Sequence, residues 1–151
     1  MVEFQVRDDI SPKIIGNQWN KWMVPYNSNG QNYTIYWNNL SDTLKDNLKV
    51  CCLCQDETLL GLIAGCVYTD YNGEKIGHIL HIYVDKETRK LSQFKLLVHE
   101  LQKFFQEKHC TSILIELGTD LGESFKLDGL LIKNGYENTI KVYKRRGNII
   151  W

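Results

Sequence analysis

The chain has 151 residues, the size of one domain with a substantial core. Its 18 Lys+Arg and 18 Asp+Glu cancel, which argues against a general nucleic-acid or membrane-surface binder. No apolar run approaches the ~20 residues of a membrane span, the alternating, acidic start MVEFQVRDD is not a signal peptide, and Cys51, Cys52, Cys54, Cys66 and Cys110 form an odd set without disulfide-scaffold spacing, which suits a reducing cytoplasmic setting.

Val2–Arg7 alternates and reads as an edge strand. Ser11 then caps a helix with Pro12 at its first position, carrying Ile14, Ile15, Trp19, Trp22 and Met23 and stopping near Pro25. Tyr26–Tyr33 is a loop by its Asn, Ser and Gly content. Tyr36, Trp37, Leu40, Leu44 and Leu48 draw a second helical face, with Ser41 available to cap its later part. A hairpin follows, Val50–Gln55 and Leu59–Thr69 around Asp56–Thr58, and a second turn on Asn72-Gly73 leads into the next strand.

That strand, Ile76–Val84, is too apolar to be covered on one face only. It feeds through the charged connection Asp85–Lys90 into a long amphipathic helix, whose Leu91, Phe94, Leu97, Val98, Leu101, Phe104 and Phe105 recur at steps of three and four. Such a junction is where α/β proteins commonly bind anions. Ser112–Leu117 is another buried strand, Ser124–Asn134 a short helix ended by Asn134-Gly135, and Tyr136–Arg145 a closing strand. The order β, α, α, β, β, β, α, β, α, β describes a mixed sheet with helices on its faces, an α/β or α+β domain.

This order and the junction residues resemble the GCN5-related N-acetyltransferase (GNAT) superfamily. GHILHIYV at Gly77–Val84 is similar to the family's fourth strand, and KNGYE at Lys133–Glu137 to the end of its last helix, where members often read FYEKxGF. The resemblance covers residues 50–145 well and the first 49 by order of elements. It implies a mostly antiparallel sheet of roughly six to seven strands with about four helices, in one domain over residues 1–151: strand and helices in 1–49, the acyl-CoA core in 50–145, an apolar tail in 146–151. It also implies that the pantetheine arm of acetyl-CoA lies between strands four and five, beside Ile82, Tyr83 and Val84. The pyrophosphate would sit on a loop reading Q/R-x-x-G-x-G/A at the start of the long helix. Here that loop falls on Arg89–Phe94, RKLSQF. Arg89 matches; Ser92 replaces the first glycine, and Phe94 the second small residue. Arg89, Lys90, Ser92 and Lys95 are the expected phosphate contacts, and the apolar stripe places Phe94 inward. The family's tyrosine acid falls on Leu131, which transfers no proton. His81 and Glu116 are the candidate bases, with a solvent-facing strand residue and a structural ion-pair partner as their plain alternatives.

His78 and His81, three apart on a strand, are expected on opposite faces and so not as a shared metal site; Cys51 and Cys54 fail as a zinc pair for the same reason, and Cys52 and Cys54 lack a second pair. No metal is expected. Trp19, Trp22, Tyr26, Tyr33, Tyr36 and Trp37 would form an acceptor wall in this family, a packing layer, or an interface. The two loop and acid departures favour a protein that keeps the fold with an eroded acetyl-CoA site, acting as a binding or structural component such as those in some bacteriophage virions. It would then sit in the host cytoplasm or virion and meet a protein partner or a second copy through segment 19–37 and tail 147–151. The alternative is an active acetyl-CoA-dependent N-acetyltransferase acting on a primary amine. Neither reading includes nucleic acid or a membrane.

Overall fold

Alternation, capping and helical stripes resolve into eight regular elements in the computed structural model, which describes residues 4–27, 30–115, 132–133 and 135–137. They are β1 (Phe4–Arg7), α1 (Pro12–Trp22), α2 (Tyr33–Leu44), β2 (Leu48–Gln55), β3 (Thr58–Thr69), β4 (Lys75–Val84), α3 (Leu91–Glu107) and β5 (Ser112–Ile115). The chain divides into two compact units, 1–117 and 118–151, and all eight elements belong to the first. In the second, Ile132 and Lys133 are helical and Gly135 follows at φ +90°, its amide donating to the Ile132 carbonyl. That is the glycine helix end which Asn134-Gly135 predicts.

The five strands of the described sheet lie in sequence order, β1-β2-β3-β4-β5. Neighbours are antiparallel except β4 and β5, which are parallel and joined through α3. The sheet is therefore mixed and mostly antiparallel, as expected, although only five of the expected strands fall among the described residues. Most of Tyr136–Arg145 and of Ser124–Asn134 lies outside them.

α1 starts where Ser11 Oγ accepts the Ile14 amide at 3.3 Å and Pro12 needs no donor partner. It packs against α2 through Gly16, where an added Cβ would lie 2.5 Å from Thr34 Cα. Only glycine fits that approach. α2 begins earlier than its apolar spacing suggested: Asn32 caps it, its Oδ1 accepting the Thr34 amide at 3.0 Å. Ser41 lies inside the helix, and Leu48, assigned by periodicity to the helical face, opens β2 instead. A short apolar run carries no period of its own, so the turn at Lys45–Asn47 decided the boundary.

The two helical layers cover opposite faces. On one, Ile15, Trp19, Trp22 and Trp37 pack on Cys52, Cys54, Leu62, Ala64 and Tyr83. On the other lies α3. An added Cβ at Gly65 would come within 2.8 Å of both Leu101 and Phe105, and one at Gly77 within 2.5 Å of Phe105. The glycines of β3 and β4 therefore set how closely α3 approaches. Thus β4 is covered on both faces, as its composition requires.

Candidate active site

Leu80 breaks the pairing of β4. β3 and β4 run in register from Gly61↔Val84 to Ala64↔His81, then jump to Gly65↔Ile79, which leaves Leu80 with no partner. This is a β-bulge, and its extra residue resets the alternation of side chains along the strand. His78 lies opposite Cys66, and His81 opposite Ala64. Cys66 and Ala64 are two apart on β3 and share a face, so His78 and His81 share it too. The expectation of opposite faces is corrected by the bulge. Among the described residues, no group of three or more His, Cys, Asp or Glu is placed to hold a metal.

Beyond the bulge, β4 pairs with β3 alone among the described residues. The Asp85 amide donates to the Leu60 carbonyl at 2.7 Å. In an antiparallel ladder alternate residues turn their backbone groups to the same side, so Tyr83 and His81 also face β3, and the amides of Ile82 and Val84 point the other way. On that side β5 pairs with β4 only over Ile76–Ile79 among the described residues. Among the described residues no strand pairs with the outer side of Ile82 and Val84, whose backbone donors face away from β3.

α3 begins at the far end of this edge. Its N-cap is Lys90, whose amide donates to Gln93 Oε1 at 2.9 Å. The Gln93 and Phe94 amides reach the Lys90 carbonyl at 3.2 and 3.4 Å. The amides of Leu91 and Ser92 precede the first intrahelical acceptors, and the helix dipole adds positive potential there. Ser92, Lys90 and Lys95 are exposed. Phe94 is 2 % exposed and points into the core with Leu97 and Leu101, so its ring does not occupy the surface above the helix start. Arg89 Nε donates to the Val84 carbonyl at 2.9 Å, and its guanidinium lies over the Tyr83 ring, 5.3 Å from its centre. It ties the connection to the strand end. The connection between α1 and α2 meets this corner too, with Lys86 Nζ 5.1 Å from the Tyr26 ring centre.

His81 emerges from the bulge into aromatic surroundings rather than onto a solvent face. The rings of Trp19, Trp37 and Tyr36 lie 5.3, 5.3 and 5.4 Å from its own. Its Nε2 meets the Tyr36 hydroxyl at 2.5 Å. Burial, helped by nearby His78, pushes the imidazole down to about 4, so it is neutral at pH 7. Burial likewise raises the Tyr36 phenol, with Cys66 adding to it. Tyr36 itself stays 38 % exposed and links the enclosed imidazole to the surface. Sequence reading missed this tyrosine's partner, since nothing local joins α2 to β4. Trp19, Trp22 and Trp37 are buried and form a packing layer, while Tyr26 and Tyr36 keep exposed faces. Glu116, Leu131 and tail 147–151 lie outside the described residues.

The bulged β4 leads through Asp85–Lys90 directly into the N-terminus of α3. A family model described as Acetyltransferase (GNAT) family matches residues 14–126. The chain belongs to the GNAT acetyltransferase family. Among solved structures, the aminoglycoside N-acetyltransferase AAC(6')-Iy in complex with CoA is similar at a TM-score of 0.71 and 20 % identity, over 97 % of this chain and 96 % of that one. Glucosamine-6-phosphate N-acetyltransferase from Arabidopsis thaliana is similar at 0.70 and 13 %, over 95 % and 98 %. Ribosomal-protein-alanine N-acetyltransferase from Brucella melitensis biovar Abortus 2308 is similar at 0.67 and 15 %, over 97 % and 100 %. At these identities the likeness is one of fold. A search of curated proteins finds no match.

Proposed function

We propose that this protein is an acetyl-CoA-dependent N-acetyltransferase acting on a primary amine. The observation that carries the reading is the outer edge of β4, where the Ile82 and Val84 amides point away from β3 beside the start of α3. Acetyl-CoA supplies the activated acyl group. The Ile82 amide, just past the bulge, is suited to hold and polarise an acyl carbonyl, and the Val84 amide to hold the chain behind it. The Leu91 and Ser92 amides, with Lys90 and Lys95, are suited to the pyrophosphate. Serine in place of glycine at 92 leaves a hydroxyl that can donate to phosphate. Phe94, turned into the core, does not oppose the reading.

His81 is neutral and therefore able to accept a proton, but its low basicity and its engaged Nε2 fit it better to orienting Tyr36 than to acting alone as the base. Glu116 remains a candidate base. A cytoplasmic location belongs to the same reading, since all five cysteines are free thiols.

A second reading, a binding component with an eroded site, rests on the exposed apolar residues Ile14, Val24 and Ile35 of the α1–α2 layer. They would face a protein partner or a second copy.

The test is release of free thiol from acetyl-CoA in the presence of an amino sugar, an aminoglycoside or a peptide with an N-terminal alanine. Amine-dependent release supports the enzyme. A stable dimer that releases thiol with none of them, and does not bind CoA, supports the second reading.

A further inference from the structure

β1 stops pairing with β2 at Arg7↔Cys52. The chain then leaves the sheet through Asp8–Ile10 to reach α1, and the stretch Leu48–Val50 of β2 has no β1 residue beside it. A cleft of about 280 Å³ opens there, between the start of α1, the end of α2 and β2. Its apolar side includes Ile15, Trp37 and Val50, and its charged and polar lining is Ser41, Lys45, Lys49 and Asp8. Trp37, Ser41 and Lys45 follow at steps of four, so one stripe of α2 and its C-cap forms a wall. Val50 lies opposite Ala64, and Ala64 opposite His81. The cleft therefore stands two strands, about 10 Å, from β4.

Two features of this lining are costly to the fold. Lys45 holds φ +49° and ψ −121°, a conformation that glycine takes readily and lysine only with strain. Trp37 Nε1 is buried and meets no acceptor among the described residues, which is also destabilising. The charges are unequal as well. Lys49 Nζ is held by Asp8 Oδ2 at 2.6 Å, so Lys45 leaves the lining positive by one.

We propose that this cleft is a second binding site, for a small aromatic carboxylate. The ring packs on Trp37, Ile15 and Val50, and the carboxylate takes the Lys45 ammonium and the Ser41 hydroxyl. A single uncancelled cation matches a monoanion. The volume lies at the small end of ligand sites, which suits roughly ten to fifteen non-hydrogen atoms and excludes a molecule the size of CoA. The assignment does not rest on the acetyltransferase reading above.

The experiment titrates the full chain with cinnamate and follows the Trp37 indole resonance in 15N spectra. A saturable shift with a Kd below about 1 mM is expected. Cinnamyl alcohol, which lacks the charge, should bind roughly 10-fold more weakly, and so should cinnamate to Lys45→Gln. Lys45→Gly should lose the same affinity yet raise Tm by a few degrees, because the strain is relieved. Ser41→Leu should fill the cleft and remove binding, while Lys21→Gln, at the other end of α1, should change nothing. Acetyl-CoA should not displace cinnamate. A folded parent with no saturable shift at about 10 mM cinnamate overturns the site. Equal affinity in the parent, Lys45→Gln and Ser41→Leu overturns it too, as does displacement by acetyl-CoA. Equal affinity for cinnamyl alcohol overturns the choice of a carboxylate.

Discussion

The Tyr36 hydroxyl and His81 Nε2 lie 2.5 Å apart although 45 positions separate them in the chain. The contact ties α2 to β4 directly after the bulge and encloses the imidazole among Trp19, Trp37 and Tyr36.

That enclosure makes His81 an acid-sensitive element of the fold. Its folded pKa, about 4, lies below the ordinary 6.5. Between these values the unfolded chain binds more protons than the folded one, so stability falls as pH drops from 6.5 towards 4 and falls no further from this group below 4. The full loss is on the order of 3 kcal/mol. Denaturant melts at pH 7, 5.5 and 4 should show it, and His81→Gln should flatten the profile over that window. A His81 ring resonance that titrates near 6.5 would contradict the enclosure.

Phe94 is a core residue standing in a loop motif position. Phe94→Ala should cost about 3–5 kcal/mol through the cavity it leaves among Leu97 and Leu101. Phe94→Leu should cost on the order of 1 kcal/mol and leave acetyl-CoA affinity unchanged. A tighter Kd in Phe94→Leu would mean that the ring projects into the binding surface.

Phe94 was legible in the sequence because the stripe of α3 runs through it, and a helix of 17 residues gives a period time to declare itself. The same holds for the apolar β4 and for the turn at Asn72-Gly73. The bulge at Leu80 was not legible, since one extra residue in a continuous apolar run changes neither composition nor spacing. It alone moved His81 and His78 to one face, and thereby changed the expected solvent-facing His81 into an enclosed one. The cap of α2 was misplaced because Asn32 and Ser41 are both good caps and only the approach of Gly16 to Thr34 decides between them. The role of Arg89 followed from motif position alone; its bond to the Val84 carbonyl is a tertiary contact that no motif carries.

Gly77 sets the seat of α3. In Gly77→Ala the new methyl would fall about 2.5 Å from the Phe105 ring, and overpacking of this kind costs about 1–3 kcal/mol. Phe105→Leu, destabilising alone, should recover part of that loss in the double variant, as coupled neighbours do. Additive losses in the thermal melts would show that the ring does not limit the approach.

Lys90 and Lys95 bear no apolar load, as both are exposed at the first turn of α3. Replacing both with Gln should leave Tm within about 2 °C and weaken acetyl-CoA binding by roughly 10-fold at low salt, with a smaller effect at high salt. Equal affinity for parent and variant at low salt would remove these lysines from the phosphate site.

The central claim is that the β4 edge and the start of α3 form a working acyl-CoA site. Calorimetric titration of the full chain with acetyl-CoA tests it most directly. The account predicts saturable one-to-one binding with a Kd below about 1 mM, weakened in the Lys90→Gln/Lys95→Gln variant. The absence of saturable binding at that concentration, from a chain whose melt shows it folded, would contradict it.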